Sequence, residues 1–231
     1  MKTIGLLGGM TCESSLEYYR LINQGVRERL GGVHSARSVM VSIDFADIDV
    51  WMRQNKWEPI IEIVQQAARD TEKGGADFLV ICTNTIHKLA EHIEAVVDIP
   101  ILHIADMVAE AIKSRGHKST GLLGTSFTME EAFYRGRLQE RHGLEVLIPD
   151  GDDRKIVNHV IYEELSTGIL KEDSRREYQR IIRKLNDRGA EGVILGCTEI
   201  GLLVKPEDSP VPLFDSTIVH ARAAVEYALA D

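Results

Sequence analysis

Residues 75–83 read Gly75-Ala76-Asp77-Phe78-Leu79-Val80-Ile81-Cys82-Thr83 and align without gaps on residues 189–197, which read Gly189-Ala190-Glu191-Gly192-Val193-Ile194-Leu195-Gly196-Cys197. A shorter repeat, Gly5-Leu6-Leu7-Gly8 and Gly121-Leu122-Leu123-Gly124, is offset by 116 residues, against 114 for the longer one. One four-residue match arises easily by chance, but two matches in the same order at nearly equal offsets do not. The sequence therefore predicts two similar halves that face each other across a cleft.

Apolar runs alternate with helical spacing along the whole chain. Short runs rich in Val, Ile and Leu lie at 3–7, 38–43, 77–82, 100–103, 119–123, 144–148, 192–196 and 211–214. Stretches of helical spacing lie at 14–30, 57–73, 86–96, 104–114, 129–141, 153–166 and 174–187. This alternation predicts βαβ units around parallel sheets, an α/β fold. We expect one domain of residues 1–98 and 213–231, and a second of residues 99–212.

The composition is that of an acidic globular protein. The 231 residues include 27 Lys and Arg against 36 Asp and Glu, a net charge of −9 that disfavours a nucleic-acid partner. No apolar run reaches the roughly eighteen residues that span a bilayer, and the N-terminus lacks the pattern of a signal peptide. Cys12, Cys82 and Cys197 show no metal-ligand spacing. We therefore expect free thiols in the cytoplasm, with no metal and no membrane partner.

The repeat makes Thr83 equivalent to Cys197, each at the carboxyl end of a strand that opens into a helix. Ligands bind at such strand ends in open α/β sheets, so a hydroxyl and a thiol are expected on opposite sides of one molecule. The helix starts Thr83-Asn84-Thr85 and Cys197-Thr198-Glu199 suit a carboxylate and should lower the thiol pKa. Alternatively, the polar side chains only cap their helices.

Both strand ends resemble a known family. Thr83-Asn84-Thr85-Ile86-His87 and Gly196-Cys197-Thr198-Glu199-Ile200 look like signatures of the aspartate/glutamate racemases. Further matches are Gly8-Gly9-Met10, Leu122-Leu123-Gly124-Thr125, Thr128 and Phe214-Asp215-Ser216. The resemblance covers nearly the entire chain and favours the branch acting on aspartate and glutamate. It implies two Rossmann-like domains related by pseudo-twofold symmetry, no pyridoxal phosphate or other cofactor, no metal, and a homodimer.

One position departs from the family, which carries a catalytic Cys in each half. Thr83 stands where the first Cys belongs, and Cys82 points to the other face of its strand, so we expect Cys82 in the core. A Thr hydroxyl is too weak a base to abstract a Cα proton, whereas a tuned thiol can do so. The resemblance therefore implies Cys197 as the acid/base on the L face, Thr83 opposite it, and a preference for L substrates.

Other residues are candidates for substrate binding. Met10 resembles a substrate-contacting family position, although a Met after a strand is as often core. Arg53 could clamp a side-chain carboxylate, although a solvated surface Arg is the commoner case. Thr125, Ser126 and Thr128 follow the equivalent first strand of the second half and could bring hydroxyls to the cleft.

Three functions are open to such a sequence. The first is an acidic amino-acid racemase. The second is a member of the same superfamily with another reaction: a single-Cys arylmalonate decarboxylase, or else a hydantoin racemase or a maleate isomerase. The third is a non-catalytic amino-acid-binding protein. The retained motifs around Asn84 and Cys197 favour the racemase.

Overall fold

The computed structural model describes residues 1–230, which form two compact units. The first unit consists of Met1–His103 together with the chain from His220 onward, and the second is Ile104–Val219. Each unit is built on its own parallel sheet covered by helices, so the predicted α/β fold is confirmed.

The first unit contains a three-stranded sheet in the order β2-β1-β3. Its strands are β1 (Ile4–Gly8), β2 (Ser38–Ser42) and β3 (Phe78–Ile81). Its helices are α1 (Cys12–Leu30), α2 (Phe45–Arg53), α3 (Glu58–Lys73) and α4 (Ala90–Glu94), with a 3-10 turn at Thr85–Leu89. Ile101 adds a single parallel bridge to Leu79 on the outer side of β3.

The second unit contains a four-stranded sheet in the order β5-β4-β6-β7. Its strands are β4 (Ser119–Gly124), β5 (Glu145–Leu147), β6 (Val193–Gly196) and β7 (Leu213–Asp215). The helices are α5 (Ile104–Ser114), α6 (Ser126–Glu130), α7 (Arg135–His142), α8 (Gly151–Glu163), α9 (Glu172–Asp187) and α10 (Ile200–Leu203), with 3-10 turns at Leu165–Thr167 and Pro206–Asp208. The last helix, α11 (Ser216–Leu229), starts in this unit and ends in the first.

The two sheets share one topology, as the repeat predicts. In the first sheet the Gly-Leu-Leu-Gly strand β1 lies between β2 and β3. In the second sheet the equivalent strand β4 lies between β5 and β6. Gly5 of β1 and Gly121 of β4 have a packing reason to be glycine. A Cβ on Gly5 would lie 2.7 Å from Thr71 Cγ2 of α3, and one on Gly121 would lie 2.9 Å from Leu185 Cδ1 of α9. In each half a helix approaches the central strand too closely for any side chain there.

Alternate residues of the first sheet pack on opposite faces. Leu7 and Ile81 join one apolar cluster with α2 and α3, whereas Leu6 and Val80 join another with α1 and α11. Cys82 lies in the second of these clusters and is fully buried. The prediction that Cys82 belongs to the core is confirmed.

The unit boundaries differ from the predicted ones at residues 98 and 213. Residues 99–103 stay with the first sheet, because Leu102 N donates to Leu79 O at 2.9 Å. Strand β7 was expected in the first domain, but it pairs with β6, and the chain joins the first unit only at His220. Long-range strand pairing decides both boundaries.

Three helical segments also differ from the sequence prediction. The predicted helix at 129–141 is split into α6 and α7, since Glu131 adopts an extended backbone. The predicted helix at 86–96 is a 3-10 turn followed by α4. Helix α2 was missed, although Asp44 caps it and accepts from Ala46 N at 3.0 Å.

Candidate active site

Cys197 lies at the carboxyl end of β6, directly after the last strand residue. The preceding Gly196 allows β6 to lie against β4 here, because a Cβ on it would be 2.8 Å from Leu123 O and 3.2 Å from Thr128 Cγ2. Part of the Cys197 surface remains accessible, as expected for a group that meets a substrate. Backbone packing therefore fixes the position of the thiol.

The Cys197 thiol donates a hydrogen bond to Glu199 Oε2 at 2.9 Å. Close packing of protein atoms around the sulfur raises the thiol pKa well above its ordinary value, and the Glu199 carboxylate and the charge of Asp215 raise it further. The backbone N–H of Glu199 lowers the pKa, as a helix start should, but this effect is the smaller one. The predicted lowering of the Cys197 pKa is therefore wrong. The thiol is protonated at neutral pH.

A thiol bonded to a carboxylate is a proton donor with its acceptor in place. Glu199 is a predicted substrate-binding residue, and in the structure its carboxylate accepts a hydrogen bond from the Cys197 thiol. A negative carboxylate repels a substrate carboxylate and attracts an ammonium group. The pair can therefore exchange a proton internally and produce a thiolate when a substrate arrives.

Asp215 is a second carboxylate whose charge reaches the thiol. It ends β7, and its Oδ1 accepts from Thr217 N at 2.9 Å and Ile218 N at 3.1 Å in the first turn of α11. Asp215 is not among the predicted site residues. In the sequence, Asp215 is an acidic residue directly before a helix. Such a position predicts a helix N-cap and gives no sign of a site residue.

The loop after β4 carries the hydroxyl groups predicted for the second half. Thr125 caps α6, with its Oγ1 accepting from Thr128 N at 3.3 Å and lying 3.2 Å from Thr128 Oγ1. Both threonines are buried, whereas Ser126 is partly exposed and its N–H donates to Asn158 Oδ1 at 2.8 Å. Thr198 is also partly exposed, one residue after Cys197. The Thr125 side chain therefore caps the start of α6.

In the first unit, Thr83 lies at the corresponding strand end and is partly exposed. Asn84 occupies the N-cap position of the 3-10 turn, and Thr85 begins the turn; both are buried. His87 Nδ1 donates to Thr83 O at 2.8 Å. The turn thus holds the three polar residues of the motif together at the end of β3.

Two serines in the first turn of α1, which were not predicted site residues, bond to the chain just after β3 and to the loop between β1 and α1. Ser14 Oγ donates to Cys82 O at 3.0 Å, and Gly9 N donates to Ser15 Oγ at 2.7 Å. Within the same loop, Met10 is only 6% exposed and packs in an apolar cluster. The structure therefore places Met10 in the core.

Arg53 lies in the last turn of α2. Its Nε donates to Asp49 Oδ2 at 2.7 Å, and its side chain is 60% exposed. The other two thiols differ from Cys197 in their exposure. Cys12 is exposed and donates to Glu13 Oε2 at 3.2 Å, while burial raises the pKa of Cys82.

Two features are absent from residues 1–230. No group of three or more His, Cys, Asp and Glu side chains is placed to hold a metal ion in this part of the chain. Within the same residues, no helix has the length and apolarity needed to cross a membrane.

A sequence model of the Asp/Glu/hydantoin racemase family matches residues 7–224. The chain belongs to this family. The crystal structure of a provisionally assigned Asp/Glu racemase from Yersinia pestis is similar to this racemase over 100% of both chains, at 50% identity and a TM-score of 0.94. An aspartate racemase homologue from Pyrococcus horikoshii OT3 also covers 100% of both chains, at 36% identity and a TM-score of 0.86.

A curated relative is the broad specificity amino-acid racemase RacX of Bacillus subtilis. It is 29% identical over 164 residues, which are 69% of this chain and 68% of that protein. The family and these relatives make the chain an isomerase of the racemase type.

Proposed function

We propose that this racemase interconverts the enantiomers of aspartate or glutamate without a cofactor, with Cys197 as the acid/base on the L face. The observation that carries the proposal is the hydrogen bond of 2.9 Å between Cys197 Sγ and Glu199 Oε2 at the end of β6. It pairs the thiol of a partly exposed cysteine with an acceptor for its proton. The names of the two similar crystal structures support the substrate class.

The first step converts the thiol into a base. The Cys197 thiol passes its proton to Glu199, which leaves a thiolate beside a neutral carboxylic acid. The substrate ammonium group promotes this transfer, because a cation near two carboxylates removes the charge repulsion that keeps the thiol protonated. The thiolate then takes the Cα proton of the L amino acid. An S–H bond forms, the C–H bond breaks, and the electron pair remains on Cα.

The second step takes place on the other face of Cα. There Thr83 delivers a proton from its hydroxyl group or from a water molecule that it binds, and the D amino acid results. Glu199 later releases its proton to solvent, and Thr83 or its water regains one, so the protons balance. Because a Thr hydroxyl is a poor base, removal of the Cα proton from the D enantiomer is the slow direction of proton abstraction.

The substrate carboxylates are assigned to groups at the strand ends. We propose that backbone N–H groups and the side chains of Asn84, Thr85 and Thr198 bind the α-carboxylate. Arg53 and the Thr125–Thr128 loop are candidates for the side-chain carboxylate. A homodimer remains our expectation from the family resemblance, and a cytoplasmic location remains our expectation from the three free thiols.

Hydrogen exchange in D₂O tests the mechanism. The equilibrium constant between enantiomers is one, so kcat/KM must be equal in the two directions. A preference for the L substrate must therefore be measured in the rates of hydrogen exchange. We expect L-aspartate or L-glutamate recovered early to contain deuterium before much D product forms. Recovered D substrate should remain unlabelled. Chiral chromatography with mass spectrometry measures both quantities.

Two variants provide the controls. Cys197→Ala should abolish exchange and turnover with the fold intact, and Thr83→Cys should speed exchange into recovered D substrate by roughly 10²–10⁴-fold, the range of one added acid/base group. Binding without exchange in the wild type would indicate an amino-acid-binding protein. Rapid labelling of recovered D substrate in the wild type would show that Thr83, or its water, is a competent base.

A further inference from the structure

Three buried histidines pack together in the first unit. His87, His103 and His220 are 2%, 4% and 0% exposed. The His87 ring centroid lies 4.7 Å from that of His103 and 5.7 Å from that of His220, with edge-on geometry in both cases. The mechanism proposed above uses none of these three side chains.

His220 is fixed in one orientation and one tautomer. Its Nε2 lies 2.7 Å from Leu102 O, and a carbonyl oxygen can only accept, so Nε2 carries the hydrogen. Its Nδ1 then accepts from the Tyr18 hydroxyl at 2.9 Å. Burial lowers the pKa of His220 to about 4, so the ring is neutral at neutral pH. The ring of His87 thus packs against an imidazole ring whose orientation is fixed.

The His87 ring is connected directly to the residue that replaces the family's first cysteine. Its Nδ1 donates to Thr83 O at 2.8 Å, across one turn of the chain. Because the ring is packed against two other imidazoles, that hydrogen bond has a fixed direction. With a side chain only 2% exposed, His87 has no access to a substrate.

The second unit has no such arrangement at the equivalent positions. The repeat offset of 114 makes Gly201 the counterpart of His87. The strand pairings Leu79–Ile101 and Val193–Leu213 make Asp215 the counterpart of His103. A Cβ on Gly201 would collide with the Asp215 carboxylate. The second unit therefore places a carboxylate beside a glycine where the first unit packs the rings of His87 and His103. The histidine cluster therefore belongs only to the half that carries Thr83.

We propose that His87 is a positioning residue for Thr83. Its hydrogen bond holds the Thr83 carbonyl, fixes the backbone at the end of β3, and so restricts Thr83 Oγ1 to one direction. A weak proton donor such as a threonine hydroxyl is effective only when it is precisely oriented, which explains a rigid support in this half. The inference rests on the proposed role of Thr83, and its test includes a measurement that needs no turnover.

A matched pair of variants tests the hydrogen bond. In His87→Asn, the amide nitrogen can occupy the place of Nδ1 and keep the bond to Thr83 O. In His87→Gln, the longer side chain places its amide nitrogen near the former Nε2 and loses that bond. We expect His87→Gln to slow formation of D product from the L substrate by roughly 10–100-fold, the effect of a misplaced reacting group. His87→Asn should stay within about threefold of the wild type.

The same assay separates positioning from a general loss of structure. Deuterium uptake into recovered L substrate depends on Cys197 and should stay within about twofold of the wild type in both variants. A parallel fall of uptake and product formation in His87→Gln would overturn the proposal. Equal product formation in the Gln and Asn variants would overturn it as well.

The second measurement reads the side chain of Thr83 directly. Three-bond couplings of its ¹³C-labelled methyl group report the χ1 angle in the protein without substrate. We expect a single rotamer in the wild type and in His87→Asn, and averaged couplings in His87→Gln. Unaltered couplings in His87→Gln would overturn the proposal. If the couplings are averaged in His87→Gln but the wild type shows no hydrogen exchange, the proposed function is refuted and the positioning role of His87 stands.

Tyr18→Phe is the second variant, for the case in which His87→Gln does not fold. It removes only the hydroxyl that donates to His220 Nδ1. We expect partial averaging of the Thr83 couplings and a smaller loss of D product. Wild-type couplings in Tyr18→Phe would overturn the proposal that the packed histidines hold Thr83 in one rotamer.

Discussion

Two fully buried tyrosines in the second unit differ in one respect that a stability measurement can read. Tyr134 and Tyr178 are both 0% exposed and belong to the same apolar cluster. The Tyr178 hydroxyl donates to Val157 O at 3.0 Å. The Tyr134 hydroxyl has no hydrogen-bond partner among residues 1–230, and burial and the charge of Asp215 raise its pKa, so it stays protonated. Replacement by Phe should therefore change stability in opposite directions.

The expected magnitudes follow from the two environments. A buried polar group without a partner costs about 1–3 kcal/mol, so Tyr134→Phe should stabilise the protein by up to that amount. Tyr178→Phe removes a hydrogen bond worth about 0.5–1.5 kcal/mol and should destabilise it. Both changes leave the ring in place, so neither opens a large cavity.

Urea denaturation followed by circular dichroism measures both effects in the intact chain. The transition midpoints should move apart with unchanged m values, since the surface exposed on unfolding is the same. Thermal melts should show shifts of roughly 2–4 °C per kcal/mol for a chain of this size. A loss of stability in Tyr134→Phe similar to that in Tyr178→Phe would show that the Tyr134 hydroxyl has a partner, such as a buried water, and would refute the reasoning.

Two further predictions concern ionisation. Glu199→Gln removes a charge that raises the pKa of Cys197, so alkylation of Cys197 at pH 8 should become faster. Racemisation at pH 7 should become slower, because the acceptor of the thiol proton is lost. A change of both rates in the same direction would contradict the role of Glu199 as that acceptor. The pKa of His220 is lowered to about 4 in the folded chain, against about 6.5 when unfolded. The unfolded state therefore binds more protons in this interval, and the free energy of unfolding should fall by roughly 3 kcal/mol between pH 6.5 and pH 4. His220→Gln should flatten that slope in urea titrations, and a slope equal to that of the wild type would exclude His220 as its source.

Much of the fold could be predicted from local patterns. Alternation of apolar runs and helical spacing gave the α/β class, and the repeated segments gave two halves with one strand order. The same alternation predicted that Cys82 is buried, because neighbouring strand residues point to opposite faces. Such features depend on residues close together in the chain.

Several features depended on pairings that local patterns do not encode. Strand β7 lies in the second sheet because it pairs with β6, some twenty residues earlier in the chain. Met10 follows a strand in a glycine-rich loop, a position compatible with a ligand contact, yet packing against the α2 and α3 side places it in the core. In both cases, contacts with distant elements decided between alternatives that the sequence left open.

The sequence by itself determined the chemical groups at the two strand ends, because the repeat makes Thr83 and Cys197 equivalent. Only the tertiary structure decided how those groups behave. The Cys197 pKa rises because folding packs the sulfur and brings Glu199 to it, an outcome opposite to the one a helix start alone predicts. His87 meets His220 across 133 residues of sequence. Electrostatics and packing act through distances in space, and the order of residues along a chain does not specify those distances.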